Sequence, residues 1–170
     1  ALTKYIFSDI CKTYSKIFNT KCRVLRLFHV YGNDEPKFRL WKLLNYHSKL
    51  INADLYFQLF ITAPLLSVHT INKCIKLLRT RKKYDSIFTC HNIYSWFWFQ
   101  KKPINYLPKV LPRSQDAKPI TMETTGLYGI KSNALKKYKC RIGKKPFFYE
   151  VSKKESLDLD TEEDFKILKT

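Results

Sequence analysis

The segment Leu55-Tyr56-Phe57-Gln58-Leu59-Phe60-Ile61 is almost unbroken aromatic and aliphatic sequence, and it stops at Thr62-Ala63-Pro64. A run of this length without polar alternation suits a strand buried on both faces and predicts a central parallel strand. Just beyond it, Ser67 or Thr70 offers a helix cap, and Ile71, Cys74, Ile75 and Leu78 recur at helical spacing with lysines on the other face. Strand, turn and amphipathic helix in succession make a βα unit, so the pattern points to a sheet with helices packed against it.

Toward the N-terminus, Tyr5-Ile6-Phe7 predicts a strand, and Ile10, Tyr14, Ile17 and Phe18 a helix closed by Asn19. Arg23-Val24-Leu25 predicts a second strand, residues 32–36 a loop, and Leu40, Leu43, Leu44, His47 and Leu50 a helix leading to Asp54. Toward the C-terminus, strands are expected over residues 86–90, 127–130 and 147–151, with a short helix over 133–138 and a last helix starting in 160–164. Residues 93–99 are strongly aromatic, and Pro103, Pro108, Pro112 and Pro119 punctuate the irregular stretch from Lys101 to Pro119. An excursion from the core, serving dimerisation, is therefore expected over about residues 92–125. The architecture expected is a single α/β domain over residues 1–170, three-layered and Rossmann-like, its sheet mostly parallel with helices on both faces.

With 170 residues, 45% of them hydrophobic and 15% aromatic, the chain can bury one sizeable core but not two ordinary ones. Thirty-two Lys+Arg against fourteen Asp+Glu give a formal charge of +18, which favours anionic partners without choosing among them. The basic residues are scattered, densest at Arg79-Thr80-Arg81-Lys82-Lys83 and Lys136-Lys137-Tyr138-Lys139-Cys140-Arg141, and read as a solvated lysine-rich surface; a nucleic-acid partner is not expected. Cys11, Cys22, Cys74, Cys90 and Cys140 are odd in number and widely spaced, which suits reduced thiols of a cytoplasmic protein. The most apolar run, residues 55–66, carries Gln58 and Pro64 and is too short to span a bilayer, so no membrane partner is expected. The four histidines show no metal-ligand spacing with one another or with cysteine.

The sharpest chemical signal is Ser156-Leu157-Asp158-Leu159-Asp160-Thr161-Glu162-Glu163-Asp164-Phe165. In extended chain Asp158 and Asp160 share a face, with Leu157 and Leu159 opposite. Two carboxylates so placed suit a hard divalent cation such as Mg²⁺, which takes oxygen ligands and retains waters or phosphate oxygens. Thr161 and Asp164 have capping-box spacing, putting the pair at a strand-to-helix junction. The competing account is that these are acidic residues favoured by a helix N-terminus and nothing more.

Asp158-Leu159-Asp160-Thr161-Glu162-Glu163-Asp164-Phe165 resembles the D-I-D-T-x-x-D-F signature of the acylneuraminate cytidylyltransferases, the CMP-sialic acid synthetase-like enzymes. Other segments follow in that family's order. Phe60-Ile61-Thr62-Ala63-Pro64-Leu65 is similar to its Q-P-T-S-P-L strand end, Arg113-Ser114-Gln115-Asp116 to its R-x-Q-D turn, and Thr125-Gly126-Leu127-Tyr128 to its N-G-A-x-Y element. Tyr84-Asp85-Ser86-Ile87-Phe88, Tyr5-Ile6-Phe7-Ser8-Asp9, Arg26 and Asp34 extend the likeness over the rest of the chain.

The resemblance implies a nucleotidyltransferase fold and the transfer of CMP from CTP to an acidic nine-carbon or related sugar such as sialic acid, with release of pyrophosphate. It further implies that Asp158 and Asp160 bind catalytic Mg²⁺, that Arg113 and Tyr128 contact the sugar, and that Phe147 and Phe148 line its pocket at a dimer interface. Thr62 and Arg26 would also be substrate-binding. The chain departs from the family in beginning at Ala1, on the strand that follows the Gly-Ser-Lys nucleotide loop, so the fold is expected to be incomplete at its N-terminus. Phe60, Ala63 and Leu66 replace the family's Gln, Ser and Arg. Two alternatives stand beside this reading: a catalytically inactive, dimerising remnant of the fold, and a basic nucleic-acid-binding domain. A third comes from Arg26-Leu27-Phe28-His29-Val30-Tyr31-Gly32, which resembles a strand of the nucleotide-sugar epimerases, although the chain has no Gly-rich dinucleotide loop.

Overall fold

The structure, a computed structural model, describes residue 44, residues 48–60 and residues 62–169. The expected strands at 5–7 and 23–25, the helix at 10–18, the loop at 32–36 and Arg26 lie outside the described residues, as does most of the stripe at 40–50.

Strand β1 (Leu55–Leu59) leads through the 62–66 turn into helix α1 (Val68–Thr80). Ser67 caps that helix, its Oγ accepting the Thr70 N–H at 3.1 Å, as a serine at this position should. Strand β2 (Ser86–Ile93) follows, then a small hairpin of β3 (Trp98–Phe99) and β4 (Lys102–Pro103) and a 3₁₀ turn at Ser114–Asp116. Strand β5 (Ile120–Lys131), helix α2 (Ser132–Tyr138), strand β6 (Pro146–Glu150) and helix α3 (Glu162–Lys169) complete the order.

The main sheet runs β1-β5-β2-β6. Strands β2 and β6 pair in parallel, whereas β5 lies between β1 and β2 and is antiparallel to both. β1, β2 and β6 thus point the same way and β5 is the reversed member, which the βαβα alternation in the sequence did not anticipate. β5 is also far longer than the expected 127–130. Its polar first half, Thr121-Met122-Glu123, has no buried strand pattern, yet pairing of Ile120 with Ile93 and Thr121 with Asn92 carries it forward. The same pairing extends β2 to Ile93, so the excursion occupies residues 94–119 and not 92–125. Asn105 ties its ends together: its side-chain oxygen accepts the Phe97 N–H at 2.8 Å, and its amide donates to the carbonyls of Ser95 and Lys118 at 2.6 and 2.7 Å.

Period-two alternation sorts the sheet residues onto two faces. Ile87, Leu127 and the half-buried Leu55, Phe57, Leu59, Phe147 and Tyr149 pack on one face against Ile71, Cys74 and Leu78 of α1. Tyr56 and Ile130 face the other way and meet Ala134 and Leu135 of α2, and Phe88 and Tyr128 continue that second face. Helices therefore cover both faces, as the sequence predicts. Gly129 marks the tightest point, since a Cβ there would run into Phe57 of β1 and Ile87 of β2. Burial among these groups pushes the Cys74 thiol up to about 12, with the Glu155 carboxylate adding to the effect, so it is an inert packing group.

Candidate functional site

The register between β2 and β5 breaks once, and the break builds the site. Phe88 pairs with Tyr128 and Cys90 with Glu123; between them β2 spends Thr89 alone, while β5 spends Thr124, Thr125, Gly126 and Leu127. Such a bulge leaves ladder groups unpaired and re-aims side chains. Thr89, fully buried, repairs the ladder with its hydroxyl, which accepts the Leu127 N–H at 3.1 Å and the Thr124 hydroxyl at 2.8 Å. Gly126 is needed for close approach, because a Cβ would come within 3.2 Å of that same oxygen.

The bulge presents Thr125 toward the loop that follows β6. The Thr125 hydroxyl donates to Asp158 Oδ2 at 2.5 Å, and the Leu159 N–H donates to the Thr62 carbonyl at 2.7 Å. The Phe60 N–H reaches the Gly126 carbonyl at 3.4 Å. The segment 158–160, the bulge and the exit of β1 are thereby joined at the carboxyl-terminal ends of β1, β2 and β6, the edge where open α/β sheets place their ligands. Glu155 anchors the same loop: its Oε1 accepts the Ser67 N–H at 3.0 Å and the Thr70 hydroxyl at 2.8 Å. Burial works against its charge, but the hydrogen bonds from Ser67 and Thr70 prevail and hold the carboxyl below its ordinary range.

A group whose folded-state pKa is depressed contributes stability above its unfolded pKa and loses it as pH falls through the folded value. Glu155→Gln should therefore cost about 1 kcal/mol at neutral pH, toward the low end for a charged acceptor that remains partly solvated. In urea titrations the gap from the wild type should close as pH falls below the ordinary glutamate range.

Asp158 Oδ1 is buried and has no hydrogen-bond partner. An unpartnered carboxylate oxygen is costly unless something cationic satisfies it, so the residue fits a role as a cation ligand. Asp160 lies exposed two residues on. Among the described residues no group of three or more His, Cys, Asp or Glu side chains gathers to enclose a metal. A cation here would then depend on waters and substrate oxygens for the rest of its shell, which is the habit of Mg²⁺. Thr161 and Asp164 form the expected reciprocal cap, with Thr161 N–H and hydroxyl donating to Asp164 Oδ2 at 2.9 and 2.8 Å and Asp164 N–H donating back at 3.2 Å.

Tyr128 lies on the face opposite α1, buried between Phe60 and Phe88. Its hydroxyl donates to Glu123 Oε1 at 2.5 Å, and the Arg141 guanidinium sits 3.8 Å over its ring while reaching Glu123 at 3.4 Å. Burial first, and then the hydrogen bond to Glu123, push the phenol well above its usual range despite Arg141, so it remains a donor. Phe148 stacks edge-on against Phe88 at 4.6 Å and is exposed on this same face. Phe147 turns to the α1 face and packs on Tyr84 at 4.9 Å. One pocket therefore does not receive both rings, because adjacent strand residues point oppositely. Arg113 lies exposed at the 3₁₀ turn, paired with Asp116 at 2.7 Å. Thr62 meets the site through its carbonyl. Thr125, Glu123, Arg141 and Gln58, whose buried Oε1 is also unpartnered, were missed in sequence; for Thr125 alone a signal existed, its place beside Gly126.

Neither a protein-family model nor a curated protein matches this sequence. Its fold does match solved structures. The structure of CMP:2-keto-3-deoxy-manno-octonic acid synthetase complexed with CTP superposes with a TM-score of 0.54 at 15% identity, covering 92% of this chain and 74% of that one. The bifunctional IspDF from Campylobacter jejuni gives 0.54 at 20% identity over 91% of this chain and 38% of that one. The Francisella tularensis 2-C-methyl-D-erythritol 4-phosphate cytidylyltransferase gives 0.55 at 13% identity, covering 82% and 74%. The chain has the α/β nucleotidyltransferase fold. Within that class, these three cytidylyltransferase structures are among those that it resembles in shape.

Proposed function

We propose that the chain is a CTP-dependent nucleotidyltransferase that transfers CMP to an acidic sugar, sialic acid or a relative. The observation that carries this reading is the Asp158 carboxylate, brought to the carboxyl edge of the sheet by the Thr125 bulge with one oxygen left buried and unpartnered. The likeness in fold to three cytidylyltransferase structures, one of them complexed with CTP, supports CTP as the nucleotide.

In the proposed reaction the anomeric hydroxyl oxygen of the sugar bonds to the α-phosphorus of CTP. The bond to the bridging oxygen breaks, pyrophosphate departs and the hydroxyl proton passes to water. Asp158 and Asp160 would hold Mg²⁺, which when bound offsets charge on the phosphate oxygens. Thr125 keeps the Asp158 carboxylate aimed, and the Thr62 carbonyl holds the chain at Leu159 beside it. The family resemblance assigns Arg113 to the acidic sugar, and Arg141, held in place by Glu123 and the Tyr128 ring, is a further cation on the Tyr128 face. Trp96, Trp98 and Phe99 are 42%, 56% and 63% exposed on the excursion, more aromatic surface than a solvated monomer favours, which supports a homodimer joined there. No helix among the described residues is long and apolar enough to cross a membrane; a cytoplasmic location completes the proposal.

The test is pyrophosphate release from CTP and Mg²⁺ with a panel of acidic sugars, comparing the chain with Asp160→Ala. Release that requires one sugar and is lost in the variant is the expected result. Folded protein that neither binds CTP nor releases pyrophosphate would leave a dimerising structural role in its place.

A further inference from the structure

The basic residues are scattered in sequence, yet folding gathers many of them at the sheet edge opposite Asp158. Four connections meet there. The Ser132 N–H donates to the Asp54 carbonyl at 2.9 Å, which sets the segment before β1 beside α2. The Lys131 N–H donates to the Asp85 carbonyl at 3.0 Å, and Lys131 Nζ to the Arg81 carbonyl at 3.1 Å, which sets the loop before β2 against the same turn. The N–H groups of Lys144 and Lys145 reach the Asp85 carboxylate at 2.9 and 3.0 Å. Arg81, Lys82 and Lys83 thus lie by the turn that leads into α2, and Lys49 shares a cleft with Lys136 and Lys139. The acidic residues of these segments are Asp54 and Asp85, and Asp85 is occupied by the two N–H groups and by the Ser86 hydroxyl. The acidic loop 155–164 lies at the other edge, so the charge of the described residues is polarised.

Between the segment before β1 and helix α2 runs an open cleft of about 690 Å³, with Lys49 and Asn52 on one wall and Lys136 and Lys139 on the other. Lys136 and Lys139 form no ion pair among the described residues, nor does Lys49. Tyr138, 37% exposed, stands beside Lys139 with Lys137 Nζ 5.5 Å from its ring centre. Lysines on both walls of a cleft, with an exposed ring on the same helix, suit a phosphodiester chain that enters the cleft and a base that stacks on the ring. A flat bilayer surface does not reach into such a cleft.

We propose that this edge is a second binding site, separate from the carboxylate edge, and that it takes single-stranded nucleic acid through its phosphates without regard to sequence. The test is fluorescence anisotropy with labelled oligouridylate and oligothymidylate over a range of salt. Charge reversal at the cleft, Lys49→Glu with Lys136→Glu and Lys139→Glu, should weaken binding at least about tenfold and reduce the slope of log affinity against log salt by about 2. The same net charge change at Lys101, Lys102 and Lys109 of the excursion should leave affinity within a factor of about two, the charge there being only part of the general field. Equal losses in both triple variants would overturn the site, as would no binding by the folded wild type, or tighter binding to phosphatidylserine vesicles than to either oligonucleotide. The inference is independent of CTP chemistry, and pyrophosphate release in the cleft variant should match the wild type.

Discussion

Replacing Asp158 by asparagine will lower sugar-dependent pyrophosphate release from CTP by on the order of 10²–10³-fold while leaving the fold intact. The substitution keeps the oxygen that accepts the Thr125 hydroxyl and the volume of the side chain. It removes the negative charge and puts an amide where Oδ1 is now buried without a partner. If that oxygen serves a cation, the variant should need far more Mg²⁺ to reach half-maximal rate, because a neutral amide is a poor ligand for a hard ion. Circular dichroism unchanged from the wild type, together with an unchanged rate, would show that the carboxylate is only a loop tether. Thr125→Val is the companion variant: it spares the carboxylate, frees its orientation and should give a smaller loss, about 10–100-fold.

Thr89→Val will cost about 2–3 kcal/mol, a large stability effect for a near-isosteric change. Valine matches threonine in shape, so packing against Leu127 is kept. The loss is one of hydrogen bonding: the buried Leu127 N–H has the Thr89 hydroxyl as its partner at 3.1 Å, and the bulge offers it no strand carbonyl. The Thr124 hydroxyl still reaches the Thr89 carbonyl at 2.9 Å, which limits the damage to one orphaned donor. For a chain of this size the drop in Tm is about 5–10 °C, readable by thermal denaturation. Thr89→Ser retains the hydroxyl and should lose less than about 1 kcal/mol; an equal loss in both variants would mean that the methyl, and not the hydrogen bond, matters. Because the bulge aims Thr125, Thr89→Val should also lower pyrophosphate release at temperatures where it is fully folded.

Ile71, Cys74, Ile75 and Leu78 announced a helix because helical spacing places them on one stripe whatever they pack against, and Ser67 announced its start because a cap acts within one turn. The run from Leu55 announced a strand for a similarly local reason, but among the described residues that strand stands at the end of the sheet order, antiparallel to its neighbour β5 and mostly half-buried, and not as the central parallel strand expected. The cap formed by Thr161 and Asp164 was legible for the same cause, its groups being a few bonds apart, whereas Asp158 and Asp160 stand in the loop after β6 and not at the expected strand-to-helix junction.

The features that tertiary structure alone decided lie between segments distant in the chain. Strand direction is one such matter, since nothing in the sequence of β5 separates a parallel from an antiparallel neighbour, and its antiparallel place between β1 and β2 is set by pairing with segments distant in the chain. The bulge at Thr124–Leu127 is another, because it is a mismatch in length between two strands and exists in neither one alone. Phe147 and Phe148 show the limit most plainly: the family resemblance assigned both to one pocket, whereas a strand must send adjacent residues to opposite faces. The polarised charge belongs here too. Lysines separated by tens of residues look dispersed along the chain, and they form one edge because the segments preceding β1, β2 and β6, which point the same way, and the turn following the reversed β5 must all end on the same side of the sheet.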